Sequence, residues 1–85
     1  MEIHRSARRH GVSEAAIRHA TDHPLVVIDL EPGGDPPKEL AIGPDQAGNM
    51  LEVIVLVLAE ERLLAIHAMP LRPSFFDLLP GGEDL

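Results

Sequence analysis

The hydrophobic pattern of the chain centres on residues 50–69, where two apolar runs flank a short charged segment, Glu60 and Glu61. The first run, residues 50–59, is too short to span a bilayer as a helix, which needs about 20 apolar residues. Its Val and Ile content favours a β-strand instead. The second run, residues 62–69, is also mostly apolar. We therefore predict a β-hairpin whose turn is formed by the two glutamates.

The predicted turn fixes which residues face each other across the hairpin. It pairs Ala59 with Arg62, Val55 with Ile66, Ile54 with His67, and Glu52 with Met69. This register places Glu52 and His67, the only titratable groups of the hairpin outside its turn, on one sheet face as diagonal neighbours. A three-residue loop would place them on opposite faces, because side chains alternate along a strand.

The rest of the chain predicts helices and strands around this hairpin. The pattern indicates a helix over residues 3–10 ended by Gly11, a helix capped by Ser13 that runs to His23, strands at 25–30 and 40–42, and a short helix at 74–79. The last helix is expected to pack Phe75, Phe76, Leu78 and Leu79 on the sheet. We predict an α+β fold with a small antiparallel four-stranded sheet, two N-terminal helices and one short C-terminal helix.

The length of 85 residues predicts a single domain, residues 1–85, in which residues 80–85 form a flexible tail. A domain of this size is marginally stable alone, so a partner or a homo-oligomer is expected. The absence of cysteine excludes a disulfide scaffold, a thiolate zinc site and a cysteine nucleophile. No segment resembles a signal peptide or a membrane span, so we expect a cytoplasmic protein that does not enter the membrane.

The net charge of −7 is distributed unevenly along the chain. Residues 1–24 carry four arginines against three acids, a net charge of +1, whereas residues 25–85 carry three basic side chains against eleven acids, a net charge of −8. General, sequence-independent binding of nucleic acid depends on neutralising phosphates, which an acidic protein does poorly. A local basic patch near the N-terminus remains compatible with this distribution.

One local sequence element suggests a family. The segment RRHGVSEAAIRHA at residues 8–20 contains Arg9, His10, Gly11, Val12 and Ser13. The segment IHAMPLRPSFFDLL at residues 66–79 supplies the last predicted strand and helix. Both segments, and the order of elements between them, resemble the BrnT-like toxins of bacterial type II toxin–antitoxin modules, within the wider RelE-like ribonuclease group. The resemblance implies a metal-independent endoribonuclease without a cofactor that cleaves RNA and inhibits growth. It also implies a cognate antitoxin, commonly with a ribbon-helix-helix DNA-binding part.

The resemblance also implies a reaction and a set of candidate residues. In such enzymes the RNA 2′-hydroxyl attacks the adjacent phosphate, which requires a base, a cation for the developing charge and an acid for the leaving oxygen. His67 and Glu52 are the candidates for acid and base, and Arg72 is the candidate for bidentate binding of the phosphate. Arg5, Arg8 and Arg9 share one predicted helix face and are candidates for contacting RNA or the antitoxin.

Each candidate also has a purely structural interpretation. His67 could be a half-buried histidine satisfied by one hydrogen bond. Glu52 lies within an apolar run, so its carboxylate must meet a partner, and a salt bridge to Arg72 or to an N-terminal arginine would suffice. Arg72 could cap the last helix. The N-terminal arginines, likewise, could form an ordinary solvated face.

Two other sequence features bear on function. His19 and His23 are four residues apart, but no glutamate lies in the zinc-protease position between them, so we predict no metal site. The apolar residues beside Glu52 and His67 favour, as an alternative to the ribonuclease, a non-catalytic protein-binding or dimerisation module. The acidic charge favours a third hypothesis, a toxin that acts on a target other than RNA.

Overall fold

The computed structural model describes residues 1–80, which form an α+β fold built on one five-stranded sheet. The elements are β1 (Glu2–Ile3), a 3-10 turn (Arg5–Arg8), α1 (Glu14–Asp22), β2 (Val26–Asp29), β3 (Lys38–Pro44), β4 (Met50–Val57), a turn (Ala59–Glu61), β5 (Leu63–Pro70) and a second 3-10 turn (Pro73–Leu78). The sheet order is β1-β5-β4-β3-β2. Strand β1 runs parallel to β5, and the other three pairings are antiparallel.

The N-terminal segment differs from the prediction of a helix over residues 3–10. Glu2 and Ile3 instead add a fifth strand to the sheet, and only Arg5–Arg8 coil into a 3-10 turn. A helix this short is marginal without a broad apolar face, whereas pairing with β5 satisfies the backbone directly. The prediction of four strands in a wholly antiparallel sheet is therefore wrong. The sheet is mixed and has five strands.

Helix α1 confirms the second predicted helix and covers one face of the sheet. The Ser13 hydroxyl accepts a hydrogen bond from the Ala16 N–H at 3.1 Å, which caps the helix as the sequence indicates. The buried side chains on this face come from the 3-10 turn, the helix and two strands, β4 and β5. They are Ala7, Ile17, Ala20, Leu51, Val53, Val55, Ala65 and Ala68.

The β4–β5 hairpin has the predicted register around Glu52 and His67, but its turn differs from the predicted one. The turn holds three residues, because the Leu58 N–H bonds the Arg62 carbonyl at 2.7 Å, and Val57 pairs with Leu63. Glu60 and Glu61 lie in the left-handed region, at φ 61° and 60°. The predicted pairings of Ala59 with Arg62 and of Val55 with Ile66 are therefore wrong.

A β-bulge then restores the register. Val55 pairs with Ala65, whereas the preceding residue, Ile54, pairs with His67, so one residue of β5 is skipped between the two pairs. The predicted pairings of Ile54 with His67 and of Glu52 with Met69 are thereby confirmed. The turn and the bulge each shift the register by one residue, and the two shifts cancel.

The segment after β5 packs less closely than predicted. Residues Pro73–Leu78 form a 3-10 turn rather than an α-helix, and Phe76 and Leu78 are 50% and 38% exposed. Among the described residues, no helix is long and apolar enough to cross a membrane. Apart from Pro80, the predicted flexible tail lies outside the described residues.

The backbone of α1 lies directly against Gly43 of β3, which predicts that no side chain is tolerated at this position. A Cβ at Gly43 would collide with the backbone carbonyl of Ala20 in α1. Gly43→Ala should therefore lower the free energy of unfolding by about 3 kcal/mol through overpacking, measured by urea denaturation. Gly48→Ala is the control, since Gly48 lies in open space at φ +87° and should cost only about 1 kcal/mol of backbone strain. Equal losses in the two variants would contradict the proposed contact.

Candidate functional site

The three residues Glu52, His67 and Arg72 meet where β4 begins and β5 ends. The neighbours of Glu52 along β4, Leu51 and Val53, are buried in the core beneath α1. Glu52 therefore points to the opposite face of the sheet. His67 lies on β5, and Arg72 follows β5 at the N-cap position of the 3-10 turn Pro73–Leu78.

Three N–H groups of Arg72 donate hydrogen bonds to the carboxylate of Glu52. Its Nε donates to Oε1 at 2.9 Å and its Nη2 donates to Oε2 at 2.8 Å, a bidentate pairing. The backbone N–H of Arg72 donates to Oε1 as well, at 3.1 Å. Both the guanidinium and the chain that carries it are thus fixed by one carboxylate.

The Glu52 side chain is completely buried, with an exposed fraction of 0%. A buried carboxylate costs several kcal/mol unless it is paired and hydrogen-bonded. Here the requirement is met, and no buried side-chain nitrogen or oxygen among residues 1–80 lacks a hydrogen-bond partner. The contacts of Glu52 are therefore those expected if it serves as the salt-bridge partner of Arg72.

The electrostatics of the pair favour its ionised form. Burial raises the pKa of Glu52, but the hydrogen bonds and charge of Arg72, with a smaller contribution from His67, outweigh it and hold that pKa below its usual value. The same interaction raises the pKa of the Arg72 guanidinium. Glu52 is consequently a carboxylate at neutral pH rather than a proton donor.

His67 completes the cluster through its imidazole. Its Nε2 lies 3.4 Å from Oε2 of Glu52, and 24% of its side chain is exposed. Because a carboxylate only accepts hydrogen bonds, this contact assigns the proton to Nε2 and leaves Nδ1 of the neutral ring as an acceptor. His67 is thus oriented by a buried carboxylate and still reaches solvent.

The structure adds His10 to the site, a residue that the sequence did not single out as functional. The ring of His10 meets the ring of His67 edge-on, with centroids 5.5 Å apart. His10 lies in the segment that links the first 3-10 turn to α1, just before Gly11 at φ +79°. In the sequence, only the position of His10 within the Arg9–Ser13 motif pointed to it. Its contact with His67 joins residues 57 positions apart and depends on how the N-terminal segment docks on β5.

Part of the Arg72 guanidinium stays available to an external ligand. Its side chain is 49% exposed, and it lies over the ring of Phe75 with Cζ 5.1 Å from the ring centroid. The guanidinium has five N–H groups, of which Glu52 engages two. The remaining donors have no partner within residues 1–80. A planar donor edge of this kind binds phosphate or carboxylate groups.

The N-terminal arginines lie apart from this cluster. Arg5 and Arg8 begin and end the first 3-10 turn, Arg9 is its C-cap, and all three are exposed. Arg8 lies 3.8 Å from Glu14. Since residues three apart align on a 3-10 turn, Arg5 and Arg8 share one side of it. Arg9 follows Arg8 directly and is therefore turned away from that side, so the predicted common face of all three arginines is not formed. The segment that carries them also carries His10.

His19 and His23 contact each other rather than a shared centre. Their rings stack with centroids 4.3 Å apart, and each Nδ1 bonds a backbone carbonyl, that of Pro44 for His19 and that of His19 for His23. Within the described part of the chain, no three His, Cys, Asp or Glu side chains are grouped so that they could hold a metal ion.

The fold and the cluster together define an α+β domain with a carboxylate-anchored arginine and a histidine pair at one end of its sheet. No protein family model, no curated protein and no solved structure matches this chain.

The buried pairing predicts that Arg72 contributes strongly to stability. Arg72→Ala would leave the Glu52 charge buried without its main partner and should lower the free energy of unfolding clearly more than the loss of an exposed ion pair does, measured by urea denaturation. Arg62→Ala is the matched control, because Arg62 also forms a bidentate pair, with Glu2, but both of those side chains are more than half exposed. That change should cost less than about 1 kcal/mol. Similar losses for the two variants would contradict the difference in burial.

The lowered pKa of Glu52 predicts a specific acid sensitivity. A carboxyl whose pKa is lower when folded stabilises the protein above its unfolded value, near 4.5, and this stabilisation disappears as the pH falls through the folded pKa. Urea denaturation from pH 7 down to pH 3 should therefore show a smaller loss of stability for Glu52→Gln than for the wild type. Identical pH profiles would show that Glu52 does not titrate differently on folding.

Proposed function

We propose that this protein is the toxin of a type II toxin–antitoxin module and acts as a metal-independent endoribonuclease. The observation that supports this best is the half-exposed Arg72 guanidinium, held by the buried Glu52 carboxylate beside the solvent-accessible His67. It combines a fixed phosphate-binding cation with a proton-transfer group, the parts that cleavage through the 2′-hydroxyl requires.

The proposed reaction assigns a separate task to each exposed group. Nδ1 of His67 takes the proton of the RNA 2′-hydroxyl, whose oxygen then bonds to the adjacent phosphorus. The free N–H groups of Arg72 donate to the non-bridging phosphate oxygens as their negative charge grows. The bond to the 5′-oxygen breaks, and His10 in its protonated form supplies the proton to that leaving oxygen. The products are a 2′,3′-cyclic phosphate and a 5′-hydroxyl.

Glu52 has a positioning role in this proposal rather than the acid or base role that the sequence suggested as one option. Its side chain has no exposed surface, and its oxygens are occupied by Arg72 and His67. It cannot reach a substrate without breaking those contacts. It would fix the direction of the guanidinium and the tautomer of His67, both of which must be set before substrate binds.

The N-terminal arginines extend the proposed site along an RNA strand. Arg5, Arg8 and Arg9 are exposed and belong to the segment that delivers His10 to His67. Residues 1–24 carry a net charge of +1, in contrast to −8 for the remainder. These arginines would therefore bind the RNA phosphates on either side of the one that is cleaved. The same surface is the candidate for contact with a cognate antitoxin.

A non-catalytic binding module is the second candidate, favoured by one specific feature. The segment after β5 and the start of β4 line an apolar cavity of about 680 Å³. Its walls include Met50, Leu71 and Phe76. Such a cavity fits a partner protein as well as a substrate. A toxin with a non-RNA target is the third candidate, supported by the net charge of −7.

Tightly induced expression in bacteria tests the ribonuclease proposal. The wild type should arrest growth and fragment total RNA, whereas His67→Gln and Arg72→Lys should lose both effects. Arg72→Lys keeps the charge beside Glu52 but lacks the bidentate fork. Its free energy of unfolding is measured alongside, so that a loss of activity in folded protein is assigned to the geometry of phosphate binding. We expect the purified protein to cleave RNA in the presence of EDTA, at a rate at least about 100-fold lower in the Arg72→Lys variant.

Arg62→Lys is the control, since Arg62 lies in the exposed pair with Glu2. All variants should be matched for expression and for circular dichroism. Growth arrest with intact RNA would support the non-RNA target instead. A wild type that leaves growth and RNA unaffected would favour the binding module.

A further inference from the structure

Strand β2 is an open edge of the sheet. It pairs with β3 on one side and with no described strand on the other, since the sheet order ends at β2. The opposite edge is partly closed, because β1 pairs with Leu64 and Ala65 of β5. Farther along β5, the Ser6 hydroxyl donates to the Ile66 carbonyl at 2.6 Å. Of the two edges, β2 is therefore the one that no described segment covers.

The hydrogen-bond pattern shows which groups are free. The Leu30 N–H donates to the Lys38 carbonyl at 2.8 Å, and Ile28 pairs with Leu40 in the same register. Bonding groups alternate in direction along an antiparallel strand, so the N–H and C=O of Val27 and Asp29 point away from the sheet. These groups can pair with an added strand without disturbing β3.

The side chains at this edge are unusually apolar for an open strand. Leu25, Val27 and Leu30 are 50%, 51% and 39% exposed, and they account for half of the six exposed large hydrophobic residues in the described part of the chain. Edge strands are normally protected by lysine, proline or an inward charge at their centre. Here the centre is VVI, and nothing in the sequence of the strand blocks pairing.

The surroundings of the edge are acidic. Residues 22–39 contain five acidic side chains, namely Asp22, Asp29, Glu31, Asp35 and Glu39, against one lysine. That lysine, Lys38, is already engaged by Glu31 at 3.4 Å. The edge thus combines an apolar centre and free backbone groups with an excess of negative charge.

We propose that β2 binds an extended segment of a second protein by strand addition, and that this segment alternates apolar with basic residues. Backbone bonds to Val27 and Asp29 supply the register, and apolar side chains cover Leu25 and Val27. Lysine or arginine residues meet the carboxylates that flank the strand. This proposal is independent of the ribonuclease proposal, because neither Arg72 nor His67 lies on β2.

A second copy of this chain fits the edge less well. Each copy carries a net charge of −7, and edge-to-edge pairing would bring two acidic surfaces together. The strand itself has four residues, so two copies would bury little area for a stable dimer. A basic partner would instead be attracted by the acidic side chains around β2.

The test uses the full chain and a short synthetic peptide that alternates valine with lysine. Titration followed by NMR should show saturable binding, with the largest shifts and the greatest slowing of amide exchange at Val27 and Asp29. A peptide with glutamate in place of lysine should bind at least about tenfold more weakly, since it loses the charge complementarity.

Val27→Pro provides the backbone test. It removes an N–H that points away from β3, a position at which an edge strand tolerates proline. We expect it to weaken binding at least about tenfold with an unchanged circular dichroism spectrum. Val27→Thr, which keeps the N–H, is its control. If Val27→Pro prevents folding, the double variant Asp29→Lys and Glu31→Lys replaces it. This variant must bind the lysine peptide more weakly, and the glutamate peptide more tightly, than the wild type does.

Three results would overturn the proposal. They are no binding of the lysine peptide at millimolar concentration, equal binding to Val27→Pro and wild type, and shifts confined to residues outside β2. A concentration-dependent dimer that Val27→Pro abolishes, detected by analytical ultracentrifugation, would also overturn it by assigning the edge to a second copy.

Discussion

The ion pair between the buried Glu52 carboxylate and the half-exposed Arg72 is the constraint on which the arrangement of this end of the sheet depends. A carboxylate with no exposed surface sits in an otherwise apolar strand, and three donors of Arg72 satisfy it. One of those donors is a backbone N–H, so the pair fixes the path of the chain after β5 as well as a side chain. Because an uncompensated buried charge is costly, the fold and the site cannot be separated energetically.

The geometry of the hairpin shows how this cluster is brought together. A three-residue turn alone would direct Glu52 and His67 to opposite faces, and the bulge between the Val55–Ala65 and Ile54–His67 pairs reverses that displacement. Bulges commonly re-aim side chains next to functional sites. The two irregularities are useful only in combination, since either one alone would remove His67 from the carboxylate.

The sequence predicted the central features of the fold and site and missed those that depend on tertiary contacts. Periodicity and capping predicted α1 and the hairpin, and a lone carboxylate in an apolar run required a partner such as Arg72. Strand β1 was not predictable, because two residues carry no periodic signal and their pairing with β5 is decided by an available edge. His10 was missed for a similar reason, since its contact with His67 depends on that docking.

The negative charge of the protein and the proposed action on RNA can be reconciled by where each charge lies. Glu52 compensates the charge of Arg72, so this pair attracts a ground-state phosphate only weakly. Its directed N–H groups would gain strength as the phosphate acquires further charge in the transition state, which is the difference that accelerates a reaction. Binding would then depend on the basic N-terminal segment, whereas the acidic remainder would repel RNA elsewhere on the surface. Such a protein would be a poor general RNA binder and would still be able to cleave a strand placed correctly across Arg72 and His67.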